Sequence, residues 1–169
     1  MVKKLLILCI TLFLNNQIVN AQDDRFKAVF IFNFAKYLEW PTEYKTGDFV
    51  IGILGNSTVE QFLVSISASK SVGSQVVVVK KFFNVESLER CQMLYIPFNN
   101  SNMLPAVLNK IGSNSTVIIT EKNGLIASGA AFNFVLENGK LGFELNTSTL
   151  NNRNLKITNE LKELAVKVY

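Results

Sequence analysis

Four consecutive valines, Val76 to Val79, set the tightest limit on how this chain can fold. β-branched residues on successive positions favour a strand, and a strand that is apolar on both sides must be covered on both faces. The strand read around them spans Gln75 to Lys80, and the runs Phe49–Leu54, Met93–Ile96 and Thr116–Thr120 share its two-sided apolar character. Helix-length segments lie between them at Val59–Ala68 and at Met103–Lys110, the second starting near Pro105. Strand and helix alternating at this spacing predict an α/β fold: a single domain with a mostly parallel sheet flanked by helices, Rossmann-like and three-layered.

The C-terminal third breaks the alternation. Asn138-Gly139 sits between two strand-like runs, and a two-residue type I′ turn there pairs Leu136 with Leu141, Phe134 with Phe143 and Phe132 with Leu145. Glu137 then meets Lys140 and Asn133 meets Glu144 on the other face, so the expected antiparallel hairpin has one apolar side and must lie on the core. A short strand over Leu155–Ile157 and a short helix capped by Thr158 or Asn159 follow, with Leu161, Leu164 and Ala165 directed inward.

The first helix is harder to read. Asp23 or Asp24 caps it and Pro41 excludes its continuation, which predicts an end near Glu39. Phe26, Phe30, Ile31, Phe34, Tyr37 and Leu38 fall on one arc, the expected core face. The opposite side carries Arg25, Asn33, Lys36 and Glu39, yet also Val29, Phe32 and Trp40. Either the helix packs on two sides within the domain, or it shows an aromatic patch to a partner or to a second copy.

Residues 1–21 have the three parts of a secretory leader: Lys3 and Lys4, an apolar run from Leu5 to Leu14, and the small-residue cleavage site Val19-Asn20-Ala21. The apolar run is too short for the ~20 residues of a spanning helix, so cleavage after Ala21 and no membrane insertion of the mature chain are expected. The 148 residues left of 169 suit one domain with a proper core. Losing two lysines lowers the net charge from +4 to +2, and basic residues come only in pairs such as Lys80-Lys81. Nucleic acid is therefore not an expected partner.

The chemical inventory is thin. The chain has no histidine, which removes the commonest general base and the usual zinc ligand, so no catalytic residue, metal or cofactor is expected. Cys91 is the only cysteine after Cys9 leaves with the leader, and reads either as a buried thiol or as one half of a disulfide between two chains. Gly52-Ile53-Leu54-Gly55 lacks the third glycine of a dinucleotide fingerprint. The strand ends around Gly55, Asn56, Thr120, Lys122 and Asn123 still form the place where an α/β sheet takes small ligands.

Several blocks together carry a family likeness. Lys27 to Pro41 with Tyr-Leu-Glu-Trp-Pro at its end, Phe49 to Gly55, Cys91 to Ile96, Thr120 to Leu125 and Gly129 to Asn146 resemble, in order, the YfiR-like bacterial periplasmic proteins. The resemblance spans nearly the whole mature chain. It implies a periplasmic regulator that binds the periplasmic sensing domain of an inner-membrane signalling enzyme, typically a diguanylate cyclase and alternatively a sensor kinase, and holds it inactive. Members often carry stapling cysteine pairs, and here Cys91 lacks its partner. On this reading Phe32, Lys36, Glu39 and Trp40 form the partner surface, with a homodimer also possible. The alternative is a periplasmic small-molecule binding protein using Gly55, Asn56, Lys122 and Asn123 in the strand-end cleft.

Overall fold

The structure, a computed structural model, describes residues 23–169; the expected leader lies outside the described residues. A helix over residues 23–37 (α1) passes into a two-residue strand, β1 (Leu38–Glu39), and a 3-10 turn, η1 (Thr42–Tyr44). Then come β2 (Phe49–Leu54), α2 (Val59–Ser67), β3 (Ser71–Val72), β4 (Gln75–Phe82), β5 (Met93–Tyr95), η2 (Phe98–Met103), α3 (Leu104–Ile111) and β6 (Val117–Thr120). The hairpin strands β7 (Phe132–Glu137) and β8 (Lys140–Leu145) follow, and α4 (Thr147–Asn151), β9 (Lys156–Ile157), α5 (Asn159–Glu163) and β10 (Lys167–Val168) complete the chain.

The expected parallel sheet is present and larger than the sequence indicates. Its eight strands run in the order β10-β8-β7-β6-β5-β2-β4-β3. The central block β4, β2, β5, β6 and β7 is parallel throughout. Because β2 lies between β4 and β5, the chain leaves it first in one direction and then in the other. This reversal puts a topological switch point at the C-terminal ends of β2 and β5.

Successive residues divide the core, as a two-sided strand requires. Met93 and Tyr95 join Ile51, Ile53, Val117, Ile119 and the hairpin phenylalanines under α1, α2 and α5. Leu94 and Ile96 join Leu54, Phe82, Ile118 and the α3 residues Leu104, Val107 and Ile111 on the other face. The hairpin has the register read from the sequence, with Phe134 opposite Phe143 and Leu136 opposite Leu141. Asn138 and Gly139 both take the positive φ that a type I′ turn demands, 52° and 74°.

Three expectations need correction. α1 ends at residue 37, because Leu38 and Glu39 leave the helix to pair with Ile157 and Lys156 of β9. Leu164 points to solvent at 64% exposure, since α5 stops at Glu163 and the chain turns outward into β10. Finally, α1 buries Ala28, Ile31, Phe32, Phe34 and Ala35, an arc rotated by about 90° from the expected one at the helical 100° per residue. Ala28 and Ala35 have no bulk and let the helix axis approach the sheet. Phe26, at 47% exposure, and Tyr37 are displaced to the flank.

Candidate functional site

The arc that α1 buries settles which of its residues a partner can reach; Arg25, Phe26, Val29, Lys36 and Tyr37 stay on its exposed side. Phe32 is 3% exposed and Trp40 5%, so the aromatic patch expected on the outer face is core. The Lys70 ammonium lies 5.6 Å above the Phe32 ring and closes it off. Trp40 meets Phe49 edge to face, with centroids 5.0 Å apart and planes at 88°. Lys36 and Glu39, the charged half of the expected surface, are exposed.

Two clefts flank this charged pair. One, of about 360 Å³, lies between the end of α1, Trp40, Lys45 and the β3–β4 turn, with Ala35, Leu38, Phe49 and Val72 among its apolar walls. The other, of about 370 Å³, is lined by Tyr37, Lys156, Ile157 and Thr158. Lys36, Leu38 and Glu39 border both, which makes β1 a ridge between two hollows. Antiparallel pairing with β9 holds the ridge and sets Glu39 opposite Lys156. The Thr158 N–H donates to the Tyr37 carbonyl at 3.3 Å, fixing its start.

Two buried glutamines fix the floor. Gln75 Nε2 donates to the carbonyls of Tyr44 at 3.2 Å and Gly47 at 3.2 Å. Gln92 Nε2 donates to Tyr44 O at 3.1 Å and Asp48 O at 3.2 Å. The η1–β2 loop that carries Lys45 is thereby tied to the sheet at several carbonyls that would otherwise be buried without donors. The sequence reading missed Lys45, Val72 and Gln75, whose only signal was their proximity to turn residues.

The strand ends carry a different arrangement. Lys27 reaches Glu121 at 2.5 Å and Asp24 at 3.1 Å. Asp24 also accepts from the Thr58 hydroxyl, and Glu121 accepts from the Phe98 N–H at 2.6 Å. This chain of contacts joins α1 to the loops after β2, β5 and β6, directly over the switch point. Burial alone would lower the Lys27 pKa, but Glu121 and Asp24 outweigh it and the pKa is raised. The fully buried Tyr95 hydroxyl faces this cluster without a hydrogen bond, and its pKa is raised by burial first and by the Glu121 charge second.

The residues expected to form a ligand cleft do not converge. Gly55, at φ 84°, is covered by the Asn100 side chain, so close that an added Cβ would lie 2.8 Å from Asn100 Nδ2. Asn56 lines an open hollow beside α2 with Thr58 and Lys81. Asn123 lines a separate cleft of about 350 Å³ with Asp24, Lys27 and Glu121, and Lys122 is exposed outside these clefts. Cys91 is a free, buried thiol whose pKa burial pushes up to about 12. Among the described residues no group of His, Cys, Asp and Glu is placed to hold a metal, and no helix is long and apolar enough to cross a membrane.

Comparison with known proteins adds a family and a fold. A family model described as YfiR/HmsC-like matches residues 24–166. No curated protein matches the sequence. Among solved structures, one described as the ABC domain in complex with L-Trp from Streptococcus pneumonia is similar, with a TM-score of 0.52 and 11% identity. The match covers 71% of this chain and 55% of that one, so this chain spans about half of its length, and the likeness is one of fold.

Proposed function

The chain belongs to the YfiR/HmsC-like family, a family of periplasmic regulatory proteins, and from that premise we propose that its mature domain is an inhibitory adaptor. It binds the periplasmic sensing domain of an inner-membrane signalling enzyme, a diguanylate cyclase or a sensor kinase, and holds it inactive. The observation that carries the reading is the exposed Lys36–Glu39 ridge between two clefts, held by its pairing with β9 at the end of α1, whose outer face also shows Phe26, Val29 and Tyr37. A standard interface buries about 800 Å² per partner, and such a ridge serves as its centre while the surrounding surface excludes water.

Inhibition needs no chemistry from the adaptor. Binding one state of the enzyme about 10⁴-fold more tightly than the other moves a 1:99 equilibrium to 99:1. Release by a signal reverses the shift.

The test is complementation of a strain lacking the protein, with wild type or with the double reversal Lys36→Glu/Glu39→Lys, reading intracellular cyclic-di-GMP at matched periplasmic abundance. Wild type restores the low level and the reversal does not. A reversal that represses as well as wild type removes the ridge from the contact. If neither chain alters cyclic-di-GMP, the cyclase output is excluded and the sensor-kinase arm is read with a kinase reporter.

The second reading, a small-molecule site at the strand ends, draws support from the cleft of about 350 Å³ beside Asn123. Its charged groups Asp24, Lys27 and Glu121 are already paired with one another, which makes it the weaker of the two. A metabolite screen by thermal shift separates them.

A further inference from the structure

The cleft at Trp40 has a chemical bias that the adaptor reading does not use. Its apolar walls include Leu38, Phe49 and Val72, and its charged rim consists of Lys36, Glu39 and Lys45. Lys36 makes no ion pair among the described residues, and Lys45 reaches only Glu39, at 3.7 Å with both side chains more than half exposed. Of the two ammonium groups on the rim, one is thus loosely paired and the other has no carboxylate among the described residues. The Trp40 indole forms part of the wall, and its Nε1–H is buried without an acceptor. Lys70, seated over Phe32 one helical turn from Lys36, adds to the positive field.

We propose that this cleft is a receptor for a carboxylate, and that its occupant is an aspartate or glutamate side chain on an extended segment of the partner protein. The proposal rests on the adaptor reading and specifies its chemistry. Lys36 and Lys45 draw the carboxylate in, and the Trp40 ring forms part of the wall it settles against. A carboxylate satisfies both ammonium groups, whereas an amine or guanidinium satisfies neither.

An extended segment fits better than a compact free acid because it can cross the ridge. On the other side of Leu38, which lines both hollows, lies the second cleft, whose wall contains Tyr37 and Ile157. In an extended chain residues i and i+2 point to the same side, about 7 Å apart. An acidic residue in the first cleft therefore places an apolar residue two positions along over the second.

Trp40 is the only tryptophan in the sequence, so the site reports on itself. The experiment titrates the mature chain with N-acetyl-Glu-Ser-Leu-amide and with N-acetyl-Gln-Ser-Leu-amide, following Trp40 emission. The glutamate peptide is expected to give a saturable change that weakens with added salt, and the glutamine peptide to bind at least tenfold more weakly. A Lys36→Ala/Lys45→Ala variant with an unchanged melting temperature is expected to lose at least tenfold for the glutamate peptide. Equal titrations for the two peptides, or no response to either, overturn the carboxylate receptor. Sodium acetate that reproduces the full change at equal affinity overturns the extended segment in favour of a free-acid site. Lost repression in the Lys36→Glu/Glu39→Lys strain together with peptide silence keeps the adaptor and removes this inference, so the two failures are distinct.

Discussion

Replacing Phe34 by alanine tests the packing that holds α1 to the sheet. Phe34 is fully buried, stacked on Phe132 at 4.0 Å with planes 8° apart, and meets the edge of Phe143 at 4.8 Å. Phe→Ala in a core costs about 3–5 kcal/mol. Well-oriented aromatic pairs add about 0.5–1.5 kcal/mol each beyond their buried area, which places this site at the upper end, about 4–5 kcal/mol. For a domain of this size each kcal/mol lowers Tm by about 2–4 °C, so a fall of about 8–20 °C is expected. Urea unfolding of the mature chain by circular dichroism measures the first quantity and a thermal scan the second. Phe34→Leu, which restores most of the volume, is expected to recover all but about 1–1.5 kcal/mol. A Phe34→Ala protein within about 1 kcal/mol of wild type would refute the stacked arrangement of α1 on the hairpin.

Other consequences are as direct. Phe32→Ala is expected to destabilise by about 3–5 kcal/mol, and Trp40→Ala likewise, because both are core; a variant that keeps wild-type stability would return its side chain to the surface. Cys91, with its pKa near 12, is expected to resist a thiol reagent at pH 8 until the chain unfolds, and labelling within seconds would contradict its burial. Glu121→Gln is expected to cost about 1.5–3 kcal/mol, as for hydrogen bonds to charged groups. Because the folded-state pKa of Lys27 lies above its ordinary 10.5, its contribution is complete below that value and disappears as pH rises through the folded pKa. The gap between wild type and Glu121→Gln should therefore narrow in strongly alkaline urea titrations to what the Phe98 N–H contact contributes, and a gap that does not change with pH would remove Lys27 from the account. Gly55→Ala meets both a positive φ and the Asn100 side chain, so a loss of stability is expected, and a neutral result would mean that the loop relaxes freely.

The fold was legible where the pattern was strong. Two-sided apolar runs gave the parallel strands, and Asn138-Gly139 with its flanking phenylalanines gave the hairpin to the residue. The two-residue strands β1, β3 and β10 were not legible, because tertiary pairing alone makes them and no periodicity fits in two residues, whereas β9 lies within the short strand read at Leu155–Ile157. The face of α1 was misread for a related reason. Large aromatics dominate a hydrophobicity pattern, whereas the buried arc is centred near the small, fully buried Ala28 and Ala35. Of the four residues expected on that surface Lys36 and Glu39 are exposed, since charged side chains are seldom buried without partners. The clefts beside them need residues from α1, η1, β2 and the β3–β4 turn, which come together only in three dimensions.

The central claim is that the Lys36–Glu39 ridge docks on the periplasmic domain of an inner-membrane signalling enzyme. Site-specific photocrosslinking in living cells tests it most directly, with a crosslinking amino acid at position 36 and, separately, at exposed position 110 in α3 on the opposite face of the sheet. The account predicts one strong adduct from position 36, identified by mass spectrometry as a membrane protein with a periplasmic domain and a cytoplasmic cyclase or kinase, and none from position 110. An adduct from position 110 with silence at position 36, or an adduct from position 36 only to soluble proteins, would contradict it.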